Sequence, residues 1–218
     1  MQKPTLPSDG LYAITPDQVL PLETLLKEVE EALVGGAVML QYRRKGQTQG
    51  TMLSEARALA SLCERYGTRL IVNDDVDLAL ASGAHGVHLG KDDGDYRALA
   101  SDRHRSLLLG VSCYDSLQSA REATEAGVDY VAFGSMFPST TKPGAVHCPL
   151  ATLREARVAL PLPIVAIGGI TPDNAPAVIA AGAHFVAAIS GVFEPGATRR
   201  NARRYACQFP SSRKLADV

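Results

Sequence analysis

The sequence predicts an α/β fold, a single-domain (β/α)8 TIM barrel, and three observations carry that expectation. Short, almost continuously apolar runs alternate with helix-like segments along the whole chain. Runs without alternation suit parallel strands buried on both faces. Polar and charged residues gather just past the ends of these runs, and parallel strands would bring them all to one rim. In such barrels the carboxyl-end rim is where active sites are built. One phrase also recurs, as ASGAHGVHLG, EAGVDYVAFGS and AAGAHFVAAIS. Each reads as a helix end, a glycine suited to a left-handed cap, a tight turn and a buried strand.

The elements follow in order. LYAIT is a strand, followed by a periodic segment over Leu20–Leu33. VMLQY leads to a helix over Met52–Tyr66, and RLIVN to a short helix over Asp77–Ala81. GVHLG precedes Tyr96–Ala100, SLLLGVS precedes Leu117–Ala126, and YVAFGS precedes a long loop and Leu150–Ala159. PIVAIG leads to Ala175–Ala180, and FVAAIS to a terminal helix over Thr198–Ala206. Eight such units leave no room for a second domain, so residues 1–218 form one barrel, with 1–9 and 208–218 as candidate flexible ends. A six-stranded doubly wound sheet would need two strands to be loops. No G-x-G-x-x-G opens the first helix, which argues against a dinucleotide fold.

The composition, 46% hydrophobic and 21% charged with a formal net charge of −1, is that of a soluble globular chain. It gives no global field for nucleic acid or an anionic membrane. The pairs Arg199-Arg200 and Arg203-Arg204 read as a solvated helix face. Cys63, Cys113, Cys148 and Cys207 are widely spaced, which suits free thiols in a reducing cytoplasm rather than a disulfide framework. No apolar run approaches the roughly 18 residues of a membrane span, and MQKPTLPSDG lacks the apolar core of a signal peptide.

The chemistry lies past the strand ends. In Gln41-Tyr42-Arg43-Arg44-Lys45, strand alternation puts Gln41, Arg43 and Lys45 on the mouth side and turns Tyr42 and Arg44 away. Arginine can grip phosphate oxygens in bidentate fashion, and lysine adds a point charge. Asn73-Asp74-Asp75 and Lys91-Asp92-Asp93 end adjacent strands. Magnesium commonly takes one or two carboxylates together with substrate phosphate oxygens. Asp75 and Asp92 suit helix N-caps equally well. The loop FPSTTKPGA offers three hydroxyls and Lys142 as phosphate ligands or as a plain turn. Gly168-Gly169 and Ile189-Ser190-Gly191 stand where barrels often hold a second phosphate. His85, His88, His104, His147 and His184 read as structural or merely exposed. No hydrolase motif is present.

QYRRKG, IVNDDVDLALASGAHGVHLGKDD, GVSCY, FGSMFPSTTKPGA, AIGGI and AAISGVF, in this order, resemble the thiamine-phosphate synthase family from about Leu11 to Phe193. The resemblance implies a transferase of thiamine biosynthesis. It would join hydroxymethylpyrimidine diphosphate to hydroxyethylthiazole phosphate, with Mg2+ as cofactor and small molecules as partners. Oligomeric state, a homo-oligomer included, stays open. Carried over by position, the whole run Gln41, Tyr42, Arg43, Arg44, Lys45, with Asn73, Ser112 and Lys142, is assigned to the pyrimidine diphosphate. Arg43, Lys45, Ser112 and Lys142 are the expected catalytic groups, and Asp74 and Asp93 the metal ligands. Ser139, Thr140, Thr141, Gly169, Ile189 and Ser190 are assigned to the thiazole phosphate. Two departures are visible: Ser139 where many relatives carry Thr, and Tyr114 where many carry His. Thiazole tautomerases are similar barrels, but they need an acid-base group near the thiazole and no metal-diphosphate site.

Overall fold

The computed structural model describes residues 3–90, 93–102, 106–138 and 146–210. Its strands are β1 (Gly10–Ile14), β2 (Ala37–Tyr42), β3 (Arg69–Asn73), β4 (Gly86–Leu89), β5 (Leu108–Tyr114), β6 (Tyr130–Phe133), β7 (Ile164–Ile167) and β8 (Phe185–Ala188). They pair in chain order, all parallel, and β8 returns to β1 to close the barrel. The doubly wound alternative is thereby excluded. Helices follow the strands: α1 (Leu22–Val34), α2 (Gln49–Tyr66), α3 (Val76–Ser82), α4 (Tyr96–Ser101), α5 (Leu117–Ala126), α6 (Leu150–Ala159), α7 (Ala175–Ala180) and α8 (Thr198–Ala206).

Strand side chains split by parity into two cores. Tyr12, Ile14, Met39, Ile71, Leu108, Tyr130, Val165 and Phe185 fill the barrel interior. Their neighbours in sequence, such as Leu11, Leu40, Leu70, Val131 and Val186, pack outward against the helices. Both faces are apolar, which is why the runs show no alternation. Gly110 is required by close approach, because a Cβ there would lie 2.0 Å from the Tyr130 ring.

Local signals set the helix ends. Asp75 caps α3 by accepting from the Leu78 N–H at 2.8 Å, and Ser116 caps α5. Left-handed Gly83 and Gly127 close α3 and α5, and Gly182 (φ +115°) follows the end of α7. These are the three glycines of the recurrent phrase. Residues 3–9, the described part of the candidate flexible N-terminal end, make contacts with the barrel. Lys3 pairs with Asp129 at 2.6 Å, the Thr5 carbonyl accepts from Arg69, and Leu6 packs against the interior core. At the other end Phe209 is buried, and residues 211–218 lie outside the described residues. Among the described residues no helix is long and apolar enough to cross a membrane.

Candidate active site

A cavity of about 400 Å³ opens at the carboxyl ends of the strands. Gln41, Arg43, Asn73, His88 and Ser112 form one side of its lining, and the turns Gly168–Thr171 and Ile189–Gly191 form the other. The structure therefore gathers Gln41, Arg43, Asn73, Ser112, Gly169, Ile189 and Ser190 around one space. A shallow depression beside Arg199, Arg200 and Arg203 lies on the outer helix layer and is a solvated face. There Arg199 pairs with Glu31.

Asp74 ends β3 in a left-handed conformation (φ +65°) that an aspartate tolerates better than most side chains. Its N–H donates to the His88 carbonyl at 2.8 Å, and its carboxylate accepts from the Asn73 amide. Burial raises its pKa to about 6, and the facing Asp93 carboxylate adds to the rise, while Asn73 and Arg43 oppose it. Asp93 reaches this position by folding over Gly90, where a Cβ would lie 2.3 Å from its Oδ2. Two carboxylates crowding each other form a hard, all-oxygen pair that a divalent cation would relieve. Among the described residues no third His, Cys, Asp or Glu joins them. The donor set fits Mg2+ with substrate and water oxygens completing the shell.

Tyr42 and Arg44 require correction, because the structure does not bring them to the cavity. Their parity turns them outward into the layer between β2 and α2, where both bind Glu55. The Tyr42 hydroxyl donates to Glu55 at 2.7 Å, and Arg44 Nε donates at 3.1 Å. Lys45 has its backbone N–H on Asp17, and its side chain is not part of the cavity lining. Ser139, Thr140, Thr141 and Lys142 lie outside the described residues, as do Lys91, Asp92 and His104. The flanks of the 139–145 segment are anchored. Phe137 N–H donates to the Gly168 carbonyl, and Ser135 N–H to the Val146 carbonyl, both at 3.0 Å.

Sequence reasoning missed Tyr12, Tyr130 and His88. Gln41 Nε2 donates to the Tyr12 hydroxyl at 2.9 Å, which meets the Tyr130 hydroxyl at 3.1 Å. Tyr130 meets His88 Nδ1 at 3.1 Å, and His88 Nε2 meets Ser112 Oγ at 2.9 Å. Burial lowers the His88 pKa to about 4, so the ring is neutral and carries one proton. An amide nitrogen only donates. The arrangement in which every buried hydroxyl proton has an acceptor therefore runs from Gln41 to Ser112. It puts the histidine proton on Nε2 and leaves the Ser112 hydroxyl proton for the cavity. His85 and His184 are structural, accepting the Leu70 and Ile164 N–H groups at the opposite barrel face, and His147 is exposed.

On the opposite wall, Gly168 and Gly169 have φ of +100° and +61°. A Cβ on Gly169 would lie 2.4 Å from the Pro138 carbonyl, so only glycine fits between these loops. Asn174 fixes the turn by donating to the Gly169 carbonyl at 3.1 Å and accepting from Thr171 N–H at 2.8 Å. The Tyr205 hydroxyl holds the Ile170 carbonyl at 2.8 Å. Backbone from two adjacent loops thus forms a firm wall of the kind that holds a phosphate.

A barrel with Arg43 on one wall beside a carboxylate pair, and a glycine-built wall opposite, is of the phosphate-handling enzyme class. Residues 11–192 match the family model described as thiamine monophosphate synthase. A thiamine-phosphate synthase of Thioalkalivibrio sulfidiphilus is 50% identical over 200 residues, covering 92% of this chain and 95% of that protein. One from an Azoarcus species is 51% identical over 200 residues, covering 92% and 97%. Among solved structures, the thiamine phosphate pyrophosphorylase from Pyrococcus furiosus superposes with a TM-score of 0.83 at 34% identity, covering 94% of this chain and 97% of that one. The chain belongs to the thiamine monophosphate synthase family, whose members are transferases.

Proposed function

We propose that this cavity carries out thiamine-phosphate synthesis, joining a pyrimidine diphosphate to a thiazole phosphate with release of diphosphate. The observation that supports it most is the two-sided lining of one cavity. Arg43, Asn73 and Ser112 line it past or at the ends of β2, β3 and β5, facing the glycine and Ser190 turns after β7 and β8, and the facing Asp74 and Asp93 carboxylates adjoin Asn73. That is the layout for two anionic substrates meeting between their anchors.

Arg43, Asn73 and Ser112 hold the diphosphate, with Lys45 and Lys142 as further cations by resemblance. Gly169, Ile189 and Ser190 hold the thiazole phosphate with Ser139, Thr140 and Thr141. Asp74 and Asp93 hold Mg2+, which when bound supplies charge neutralisation to the diphosphate. The carbon–oxygen bond to the pyrimidine methylene breaks, and its electron pair leaves on diphosphate. The electron-rich ring spreads the positive charge, and the thiazole nitrogen lone pair forms the new carbon–nitrogen bond. No proton changes hands, so no general base is required. The protein contributes placement and electrostatic stabilisation, with the Ser112 proton aimed at the departing anion. The tautomerase alternative loses ground because Tyr114, not a histidine, lines the cavity at its position.

We place the reaction in the cytoplasm, a reading supported by the four free cysteines, three of them buried. The direct test is formation of thiamine phosphate from both substrates, with and without magnesium. A protein that needs neither the metal nor both substrates would not be this enzyme.

A further inference from the structure

Arg43, Arg44 and Lys45 lie just beyond the end of β2, where the sheet ladder no longer holds the backbone. Their support comes from the adjoining exit of β1. Thr15 Oγ1 accepts from the Arg43 N–H at 2.9 Å and donates to the Arg43 carbonyl at 3.0 Å. The Gln18 carbonyl accepts from Arg44 Nη1. Asp17 makes two contacts with separate oxygens. Oδ2 accepts from Arg43 Nη1 at 2.9 Å, and Oδ1 accepts from the Lys45 N–H at 2.8 Å. Residues 15–18 thus act as a template along which residues 43–45 are laid.

Asp17 itself does not line the cavity. Its side chain is 37% exposed, against 16% for Arg43, so it contributes little packing. A free arginine loses much rotamer freedom when it grips an anion. A carboxylate holding one edge of the guanidinium removes that loss in advance and leaves the other donors free for a bidentate grip.

We propose that Asp17 is a positioning residue for the diphosphate end of the reaction, acting through Arg43 and the Lys45 backbone. The inference rests on the reading of Arg43 and Lys45 as diphosphate contacts. The test compares D17N, D17A and D17E with wild type by steady-state kinetics for each substrate and by thermal melting. D17N keeps an acceptor for the Lys45 N–H but loses the charge that holds Arg43. D17N and D17A should raise KM for the pyrimidine diphosphate by about tenfold while leaving KM for the thiazole phosphate within about twofold. The melting temperature should stay within about 2 °C, and D17E should restore part of the loss. In an R43A background, D17N should add little.

An unchanged or lowered KM for the diphosphate substrate in D17N would overturn the proposal, since Asp17 would then be idle or a competitor for Arg43. Equal losses toward both substrates with a lowered melting temperature would also overturn it, in favour of a structural role. If wild type itself makes no thiamine phosphate, the functional reading fails instead. Binding of inorganic diphosphate with magnesium to wild type and D17N, measured by calorimetry, then still decides the role of Asp17: weaker binding to D17N supports it, and equal binding refutes it.

Discussion

At the scale of single residues, the site depends on where protons and charges sit. Because burial and Asp93 hold the Asp74 carboxyl up at about 6, magnesium bound there as proposed would compete with a proton below that value. Magnesium should therefore raise the melting temperature more at pH 7.5 than at pH 5, and D74N should abolish the difference; a stabilisation independent of pH would remove Asp74 from the metal site. The hydrogen-bond chain makes a second prediction. Nitrogen-15 NMR should find His88 neutral and protonated on Nε2, and Y130F should release that preference. A proton on Nδ1 in the wild type would reverse the chain and point a Ser112 lone pair at the diphosphate. Gln41, Arg43, Asn73 and Ser112 were legible in the sequence because they stand at strand ends beyond apolar runs. His88 and Tyr12 were not, since within apolar strands they look like core. Parity carried a signal, because His88 pairs in register with Asn73 and so faces the same interior. Parity also turned Tyr42 and Arg44 outward, against their assignment as part of a contiguous run.

At the scale of elements, each wall of the cavity belongs to a different part of the barrel, so the two substrates should be separable. Arg43→Ala should cost about 1.5–3 kcal/mol in use of the pyrimidine diphosphate, as for a lost charge-assisted contact. Ser190→Ala should weaken use of the thiazole phosphate instead. Kinetics that respond equally to both substrates in both variants would mean a shared pocket or a folding defect. Behind β2, the buried Arg44–Glu55 pair, with Arg44 and Glu55 side chains 1% and 7% exposed, belongs to stability. Removing one partner leaves an uncompensated charge, so E55A should lower stability by about 3–5 kcal/mol, read by denaturant unfolding. A loss below 1 kcal/mol would mean that Arg44 finds water or another partner. Helices and strands were legible because caps, turn glycines and periodicity are local. The contact of Asp17 with residues 43 and 45 was not, because it joins segments 26 and 28 residues apart.

At the scale of the whole molecule, closure of eight parallel strands converts scattered strand ends into a single site. The same closure buries His88 as a neutral ring with its pKa near 4, below the ordinary 6.5. The unfolded chain thus binds more protons than the folded one in that interval. The stability His88 contributes is present above pH 6.5 and lost as pH falls toward 4. Asp74 works in the opposite sense, favouring the metal-free fold below its ordinary 3.8 and losing that contribution as pH rises through about 6. The proposed function requires that one cavity bring a metal-bound diphosphate and a second phosphate together for alkyl transfer. It is tested most directly by incubating the purified protein with both substrates and quantifying thiamine phosphate and released diphosphate. Equal amounts of the two products, dependent on magnesium and sharply reduced in Arg43→Ala and Asp93→Ala, are the expected result. Diphosphate release without thiamine phosphate, or undiminished turnover in both variants with excess magnesium, would contradict it.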